Sequence, residues 1–245
     1  MTAETQASRP VRSARAQRHD VGIIRLSQRD IDGLLLCAEH YGAPLDLLAE
    51  ALGVNKVRMN AITARWRRAG YVNIAQLGSG PPWTWLTPEG MKATGLGFPA
   101  TPPTLGRLPH YRAILAARLW LTAGPAWADG QAWWHSERRL LAKNPKHKGG
   151  HNPDAEIHWP GIEGSPYADQ IWAIEVELSA KQIERITQII SGMLSSMKYT
   201  TVVYLTAPAA RSAVRKAVAS LPAEDQAKVA VRDLPASAFR PKVRR

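Results

Sequence analysis

The feature that most constrains the fold is an apolar segment that runs directly into two acids. Residues 171–174 read Ile-Trp-Ala-Ile, and Glu175, Val176 and Glu177 follow them. Because side chains alternate between the two faces of a β-strand, Glu175 and Glu177 point to the same side. Two acids on the inner face of a buried strand are costly unless a metal ion or basic side chains neutralise them.

Another acid stands just upstream, where Asn152, Pro153 and Asp154 precede a predicted strand over residues 155–159. At the start of a neighbouring strand, Asp154 could face the two glutamates. Hard cations are held by a few carboxylates together with water and a phosphate oxygen. The pattern therefore predicts a Mg²⁺ or Mn²⁺ site formed by Asp154, Glu175 and Glu177, suited to chemistry on a nucleic-acid backbone. The alternative is a solvated edge-strand face, with Asp154 in an Asx-turn.

The charge of the chain favours a polyanionic partner. Its 245 residues contain 32 Lys and Arg against 20 Asp and Glu, a formal net charge of +12. The sequence contains no run of about 18 apolar residues, which a membrane-spanning helix would need, and its polar N-terminus does not resemble a secretory signal. The single cysteine, Cys37, excludes an intrachain disulfide framework and a cysteine-based zinc cluster. We expect a cytoplasmic protein that binds double-stranded DNA and no membrane.

The N-terminal part divides into a basic flexible arm over residues 1–24 and a first domain over residues 25–97. Apolar spacing predicts helices over 26–41, 44–52 and, after the capping residue Asn55, 55–69. Predicted strands over 71–74 and 83–86 form a hairpin, and a further helix begins at Thr87. Three helices followed by a hairpin resemble the winged helix-turn-helix of bacterial regulators. That resemblance implies that the third helix enters the major groove through its exposed polar residues Lys56, Arg58, Asn60 and Arg65.

Three prolines within residues 98–104 cannot sustain a helix or a central strand, so we predict a linker over residues 98–108. The second domain then spans residues 109–235, and residues 236–245 form a basic tail. The predicted helices of this second domain cover 111–119, 133–142, 179–197 (capped by Ser179) and 209–221. Its predicted strands cover 155–159, 171–178, 201–205 and 228–232. Alternating helices and strands of this kind predict an α/β domain with a mixed sheet of three to five strands.

The ordered acids Glu137, Pro153-Asp154 and Glu175 resemble the PD-(D/E)xK nuclease-like superfamily. The resemblance is closer to its variant in the replication-relaxation proteins of actinobacterial plasmids and mobile elements, where a winged helix precedes the nuclease-like domain. It implies that Glu137, Asp154 and Glu175 belong to a catalytic, metal-dependent site. Glu177 stands where an active nuclease of this superfamily usually has lysine. Lys181, just beyond the same strand, is the candidate that could take over the role of that lysine.

Two functions remain open at this stage. The first is metal-dependent phosphodiester cleavage, or a binding role descended from it, in plasmid or mobile-element replication or transfer. The second is a non-enzymatic DNA-binding regulator, in which the second domain is an inactive relic that serves dimerisation or effector binding. Other chemistries are less favoured: His147, His151 and His158 lie near the acids without the two-histidine helical spacing of a metalloprotease, although His151 could assist a metal-bound water.

Overall fold

The computed structural model describes residues 25–124, 132–143, 151–161 and 165–239. The predicted basic arm and His147 lie outside these ranges. None of the helices in the described ranges is both long and apolar enough to cross a membrane.

The first half consists of helices packed beside a small antiparallel sheet. Its elements are α1 Gln28–Glu39, β1 Ala43–Pro44, α2 Leu45–Ala51, α3 Lys56–Arg68, β2 Val72–Ala75, β3 Trp83–Leu86 and α4 Pro88–Thr94. The sheet order is β1-β3-β2. The side chain of Asn55 accepts a hydrogen bond from the backbone N–H of Arg58 and caps α3, as the sequence predicts.

The second half is a five-stranded mixed sheet with helices on both faces, in agreement with the predicted α/β architecture. Its elements are α5 Leu108–Leu121, β4 Trp133–Ser136, α6 Glu137–Lys143, β5 Ala155–His158, β6 Ile171–Glu177, α7 Ile183–Ser195, β7 Thr201–Thr206, α8 Pro208–Ala219, α9 Ala223–Gln226 and β8 Val229–Asp233. The strand order is β4-β5-β6-β7-β8. The β4–β5 and β5–β6 pairs are antiparallel, and the β6–β7 and β7–β8 pairs are parallel.

Two sequence predictions are wrong in detail. The segment from Trp133 to Ser136 is a strand rather than the start of a helix, because its alternate residues Trp134 and Ser136 are buried while it pairs with β5. Ser179 does not cap the following helix, which begins at Ile183 after Gln182. The predicted basic tail begins with a 3-10 helix at Ala236–Ala238. The backbone carbonyl of the next residue, Phe239, accepts a hydrogen bond from Nε of Arg112 on α5.

The two faces of the large sheet have different partners. Ala155, Ile157, Ile174 and Val176 face the core that contains α5. On the other face, Ala173 and Tyr204 pack with apolar residues of α7 and α8. The acids of β5 and β6 alternate with the first set, so they lie on the α7 side of the sheet.

The two halves share a core and buried polar contacts. One apolar cluster includes side chains of α1, α2, α3 and α5 together with strands β4 to β7. Buried Glu39 of α1 pairs with Arg118 of α5 and Arg139 of α6, and Arg112 pairs with Asp46 at 2.6 Å. Arg138 donates a hydrogen bond to the carbonyl of Ala38 at 2.6 Å. The predicted boundary at residues 98–108 thus separates two parts that are extensively packed against each other.

Candidate functional site: an acidic groove beside helix α7

A groove of about 1240 Å³ is lined by residues of α5, α6, β5, β6 and α7 and of the segments next to them. Its acidic lining residues are Glu137, Asp154, Glu156 and Glu175. Its cationic lining residues are Arg107, Lys143, Lys181, Arg185 and Lys198, and its histidines are His110, His151 and His158. Four of the five residues predicted as catalytic line this groove, and the fifth, Glu177, does not.

Asp154 is fixed at the centre of the groove by contacts from two directions. One carboxylate oxygen lies 2.8 Å from Nε2 of His110 on α5, and the other accepts a 2.8 Å hydrogen bond from the backbone N–H of Val176. Burial favours neutral His110, but the hydrogen bond to Asp154 and its negative charge raise the pKa of this histidine above its usual value. The Pro-Asp acid is therefore joined directly to strand β6.

Glu175 is almost completely buried and has one side-chain partner in the described structure. Its Oε1 lies 2.8 Å from Nε2 of His151. Burial raises the pKa of Glu175 to about 7, against the effect of the His151 hydrogen bond, and the negative charge of Asp154 acts in the same direction as burial. The hydrogen bond to Glu175 raises the pKa of His151. Positive charge added near Glu175 would therefore stabilise its carboxylate.

Glu177 is buried, and its carboxylate is bound to Lys181 rather than gathered with the other two acids. The Nζ of Lys181 lies 2.6 Å from Oε2 of Glu177. Lys181 lies in the irregular segment before α7, not in its first turn. The ion pair brings the ammonium of Lys181 next to the strand position at which the nuclease resemblance implies lysine.

Glu137 is the first residue of α6, and its backbone meets that of Asp154 where the paired strands β4 and β5 end. Its N–H donates a hydrogen bond to the Asp154 carbonyl at 3.1 Å. Its carboxylate is 3.6 Å from the guanidinium of Arg107, which is also on the groove. The structure thus brings Glu137 to the groove at the junction of β4 and α6, which the predicted helix over 133–142 did not contain.

A second polar cluster in the same groove was missed by sequence reasoning. Glu156 is 1% exposed. Its Oε2 lies 2.7 Å from Nε2 of His158, and its Oε1 accepts hydrogen bonds from the hydroxyl of Tyr199 at 2.7 Å and from Lys198. Burial alone would raise the pKa of Glu156, but the hydrogen bonds from His158, Lys198 and Tyr199 lower it to about 2. Asp154 immediately precedes β5, and Glu156 and His158 lie two and four residues later on it; this spacing of two is the sequence signal that places the three on one side.

Within the described ranges, one set of three metal-ligating side chains has its ligand atoms all within 4.8 Å of one another. The set is His135, Glu156 and His158. The predicted metal ligands Asp154, Glu175 and Glu177 are not gathered in this way. His135 was missed because it lies on β4, which the sequence analysis assigned to a helix.

On the first half, the exposed face of α3 carries three of the four predicted DNA-contacting residues. Lys56, Arg58 and Asn60 are exposed. Arg65 differs, because its guanidinium pairs with the buried carboxylate of Asp30, which also accepts a 2.8 Å hydrogen bond from the indole of Trp66. Arg65 therefore serves the packing of α3 on α1.

Comparisons with known proteins identify no family. No protein-family model matches this chain, and no curated protein does. Among solved structures, PigF with SAH aligns at a TM-score of 0.20 and 12% identity, over 84% of this chain and 62% of that one. The N,N-8-amino-8-demethyl-D-riboflavin dimethyltransferase RosA from Streptomyces davawensis aligns at a TM-score of 0.19 and 13% identity, over 84% and 63%. This chain spans less than two thirds of either protein, and superpositions this weak carry no argument about fold or activity.

Proposed function

We propose that this protein binds double-stranded DNA through a winged helix-turn-helix formed by residues 25–97 and acts on the phosphodiester backbone at the Asp154–Glu175 groove. The observation that carries the proposal is the convergence of Glu137, Asp154, Glu175 and Lys181 on one groove. These residues come from a helix start, two adjacent strands and a following loop. The sequence analysis named all four: Asp154 and Glu175 from the spacing of the acids, Glu137 from the nuclease-like resemblance, and Lys181 as the lysine that could compensate for Glu177.

The electrostatics of the groove support a substrate with a phosphate backbone. Arg107, Lys143 and Arg185 contribute positive charge along the same lining as the acids. The formal net charge of the chain is +12. Cationic side chains attract a polyanion over a distance of about a Debye length, and a groove concentrates that attraction.

The donor set fits a hard divalent cation at two of the three predicted ligands. Asp154 and Glu175 are carboxylates on adjacent strands, and the environment of Glu175 disfavours its negative charge unless positive charge is added. Glu177 fits less well, because Lys181 already neutralises it. Asp154 and Glu175 would thus hold Mg²⁺ or Mn²⁺, which supplies Lewis-acid polarisation of a phosphate when bound.

The chain's own residues would then divide the remaining work. Lys181 would place its ammonium near the scissile phosphate and stabilise the charge that develops there. His110 holds Asp154 from the opposite side, and its contact fixes the orientation of that carboxylate. His151, in contact with Glu175, is the group placed to exchange a proton with water in the groove.

The second candidate function is a non-enzymatic DNA-binding regulator with a relic site. The observation that favours it is the satisfaction of Asp154, whose two oxygens both have partners in the described structure. A carboxylate paired with a histidine and a backbone N–H is stable without a cation. In this case the groove would keep the nuclease-like arrangement for packing, and DNA binding would be the function.

DNA binding is tested on the exposed face of α3. Duplex affinity of the Lys56→Ala/Arg58→Ala double variant should fall, and the slope of log affinity against log salt should flatten by about 1 to 2, since each phosphate contact contributes about 0.9. The matched control is Arg215→Ala/Lys216→Ala, which removes the same charge from exposed positions on α8. Equal losses in the two double variants would contradict a role for α3 as the reading helix.

Cleavage is tested on supercoiled, linear and single-stranded DNA with Mg²⁺ or Mn²⁺. The wild type should nick or cut at least one of them, and Asp154→Asn should lower the rate by about 100-fold or more while duplex binding persists. Lys181→Ala should also lower the rate, with Lys216→Ala as the control that removes an exposed lysine of α8 outside the groove lining. Metal-dependent stabilisation without cleavage on any substrate would favour the relic alternative.

A further inference from the structure

We propose that His135, Glu156 and His158 form a binding site for a divalent transition-metal ion of the Zn²⁺ class, separate from the carboxylate pair Asp154 and Glu175. The proposal does not rest on the proposed function, because it concerns different residues and a different class of ion. Imidazole nitrogens suit zinc, cobalt, nickel and iron, whereas all-carboxylate sites suit magnesium and manganese. The two sites therefore differ in the cation that they would select.

Strand pairing brings the three ligands together. His135 on β4 is directly opposite Glu156 on β5, and His158 follows two residues later on the same face of β5. The imidazole rings of His135 and His158 have centroids 4.0 Å apart. The candidate ligand atoms of all three side chains lie within 4.8 Å of one another. Small side-chain rotations would bring them to the spacing of about 3 to 4 Å that three ligands of one zinc ion have, given bond lengths near 2 Å.

The carboxylate is already oriented for such an ion. Tyr199 and Lys198 both bind Oε1 of Glu156, which leaves Oε2 directed at the Nε2 of His158. Hydrogen bonds of this kind to the outer oxygen of a ligating carboxylate fix its orientation at metal sites. A cation at this point would replace the proton that His158 shares with Oε2.

The third ligand has unused capacity. The Nδ1 of His135 is buried and has no hydrogen-bond partner among the residues that the structure describes. A buried ring nitrogen without a partner is costly, and metal coordination of the ring is one way in which that cost is recovered. Two imidazoles and one carboxylate are also the donor set of open three-ligand zinc sites, which leave the fourth position to water. Glu156 and His158 line the groove, so that position would face it.

The test uses the full chain after treatment with a chelator and measures binding of Co²⁺ by its visible absorption, followed by displacement with Zn²⁺. The wild type should bind one equivalent with the spectrum of a four- or five-coordinate nitrogen and oxygen site, and Zn²⁺ should raise the melting temperature. His135→Phe keeps the ring contact with His158 but cannot ligate, and it should weaken binding by more than about 100-fold, since even outer-shell changes cost 10- to 100-fold. Tyr199→Phe, which removes only the outer hydrogen bond, should weaken it by about 10- to 100-fold.

The matched control is His151→Gln, which removes a histidine of the same groove that contacts Glu175 instead. It should bind Co²⁺ like the wild type, and so should Asp154→Asn. His158→Gln is the second ligand variant, for use if His135→Phe is not folded by circular dichroism. Wild-type affinity in a folded His135→Phe or His158→Gln protein would overturn the proposal. Loss of binding in Asp154→Asn or His151→Gln would assign the ion to the acidic pair instead.

Discussion

Glu156 and Glu175 are two buried glutamates on one face of one sheet, yet their pKa values are displaced in opposite directions. The pKa of Glu156 falls to about 2 and that of Glu175 rises to about 7. Both side chains are almost inaccessible to solvent, at 1% and 5% exposure, and burial acts to raise the pKa of each. The two differ in the number of donors that oppose this effect: Glu156 has three donating side chains, and Glu175 has one. A carboxylate on this face is stable as an anion only where the surrounding elements supply donors, and the Glu175 site is where they are in short supply.

The largest expected effect is on Glu156. Replacing Glu156 by Gln should lower the free energy of unfolding at pH 7 by about 2–3 kcal/mol, because three hydrogen bonds to a buried charge are weakened or lost. The folded pKa is depressed, so the wild-type advantage is present above the unfolded pKa of about 4.5. It should be lost as pH falls through 4.5 toward 2. Urea unfolding at pH 7 and pH 3 measures both values, and an unchanged gap at pH 3 would contradict the assignment.

Glu175 should give the opposite sign. Its folded pKa is raised, so the folded state binds a proton more tightly than the unfolded chain, and stability falls as pH rises from about 4.5 through about 7. Glu175→Gln cannot ionise and should be more stable than the wild type at pH 8 by about 1–2 kcal/mol, part of the gain being offset because His151 loses a charged acceptor. The same urea experiment at pH 5 should show a smaller gain. A variant that is less stable than wild type at pH 8 would remove the contrast with Glu156.

The smallest effect concerns added cations. Mg²⁺ or Mn²⁺ at several times its Kd should stabilise the wild type by about 1 kcal/mol at pH 8, since a ligand that binds only the folded state acts by mass action. Glu175→Gln and Asp154→Asn should abolish the shift in melting temperature. Glu177→Gln is the control and should keep the shift, because Glu177 is bound to Lys181 and is not one of the two expected ligands, Asp154 and Glu175. Loss of the shift in Glu177→Gln would restore Glu177 to the set of metal ligands.

The sequence predicted the strands and helices of the α/β half well where apolar runs were long, as on β6 and β7. It predicted Asp154 and Glu175 because they stand at or near the ends of predicted strands, but it gave no role to Glu156, which lies inside one of them. It failed at β4, where two tryptophans gave no period that separates a strand from a helix, and so it missed His135. His110 was missed for another reason: its contact with Asp154 depends on how α5 crosses the sheet, which is a tertiary property.

Arg65 shows the same limit in the first half. Its position on α3 is correct, and its spacing matches the exposed face. Its partner, Asp30, lies 35 residues earlier on α1, where it also completes the capping box with Ser27. The pairing of Arg65 with buried Asp30 is decided by how α3 packs on α1, and the order of residues along the chain does not show it.

The buried carboxylate of Glu39 pairs with one arginine from each of two later helices. This pairing limits how the two halves of the protein can evolve. Exchanging residues 25–97 for an unrelated sequence would leave Arg118 and Arg139 without their acid, and Arg138 without the Ala38 carbonyl. Unpaired charges at such a junction are strongly destabilising. The two halves are therefore poor candidates for recombination as independent modules. Substitutions at the junction should be inherited in matched sets, so that each half constrains the divergence of the other.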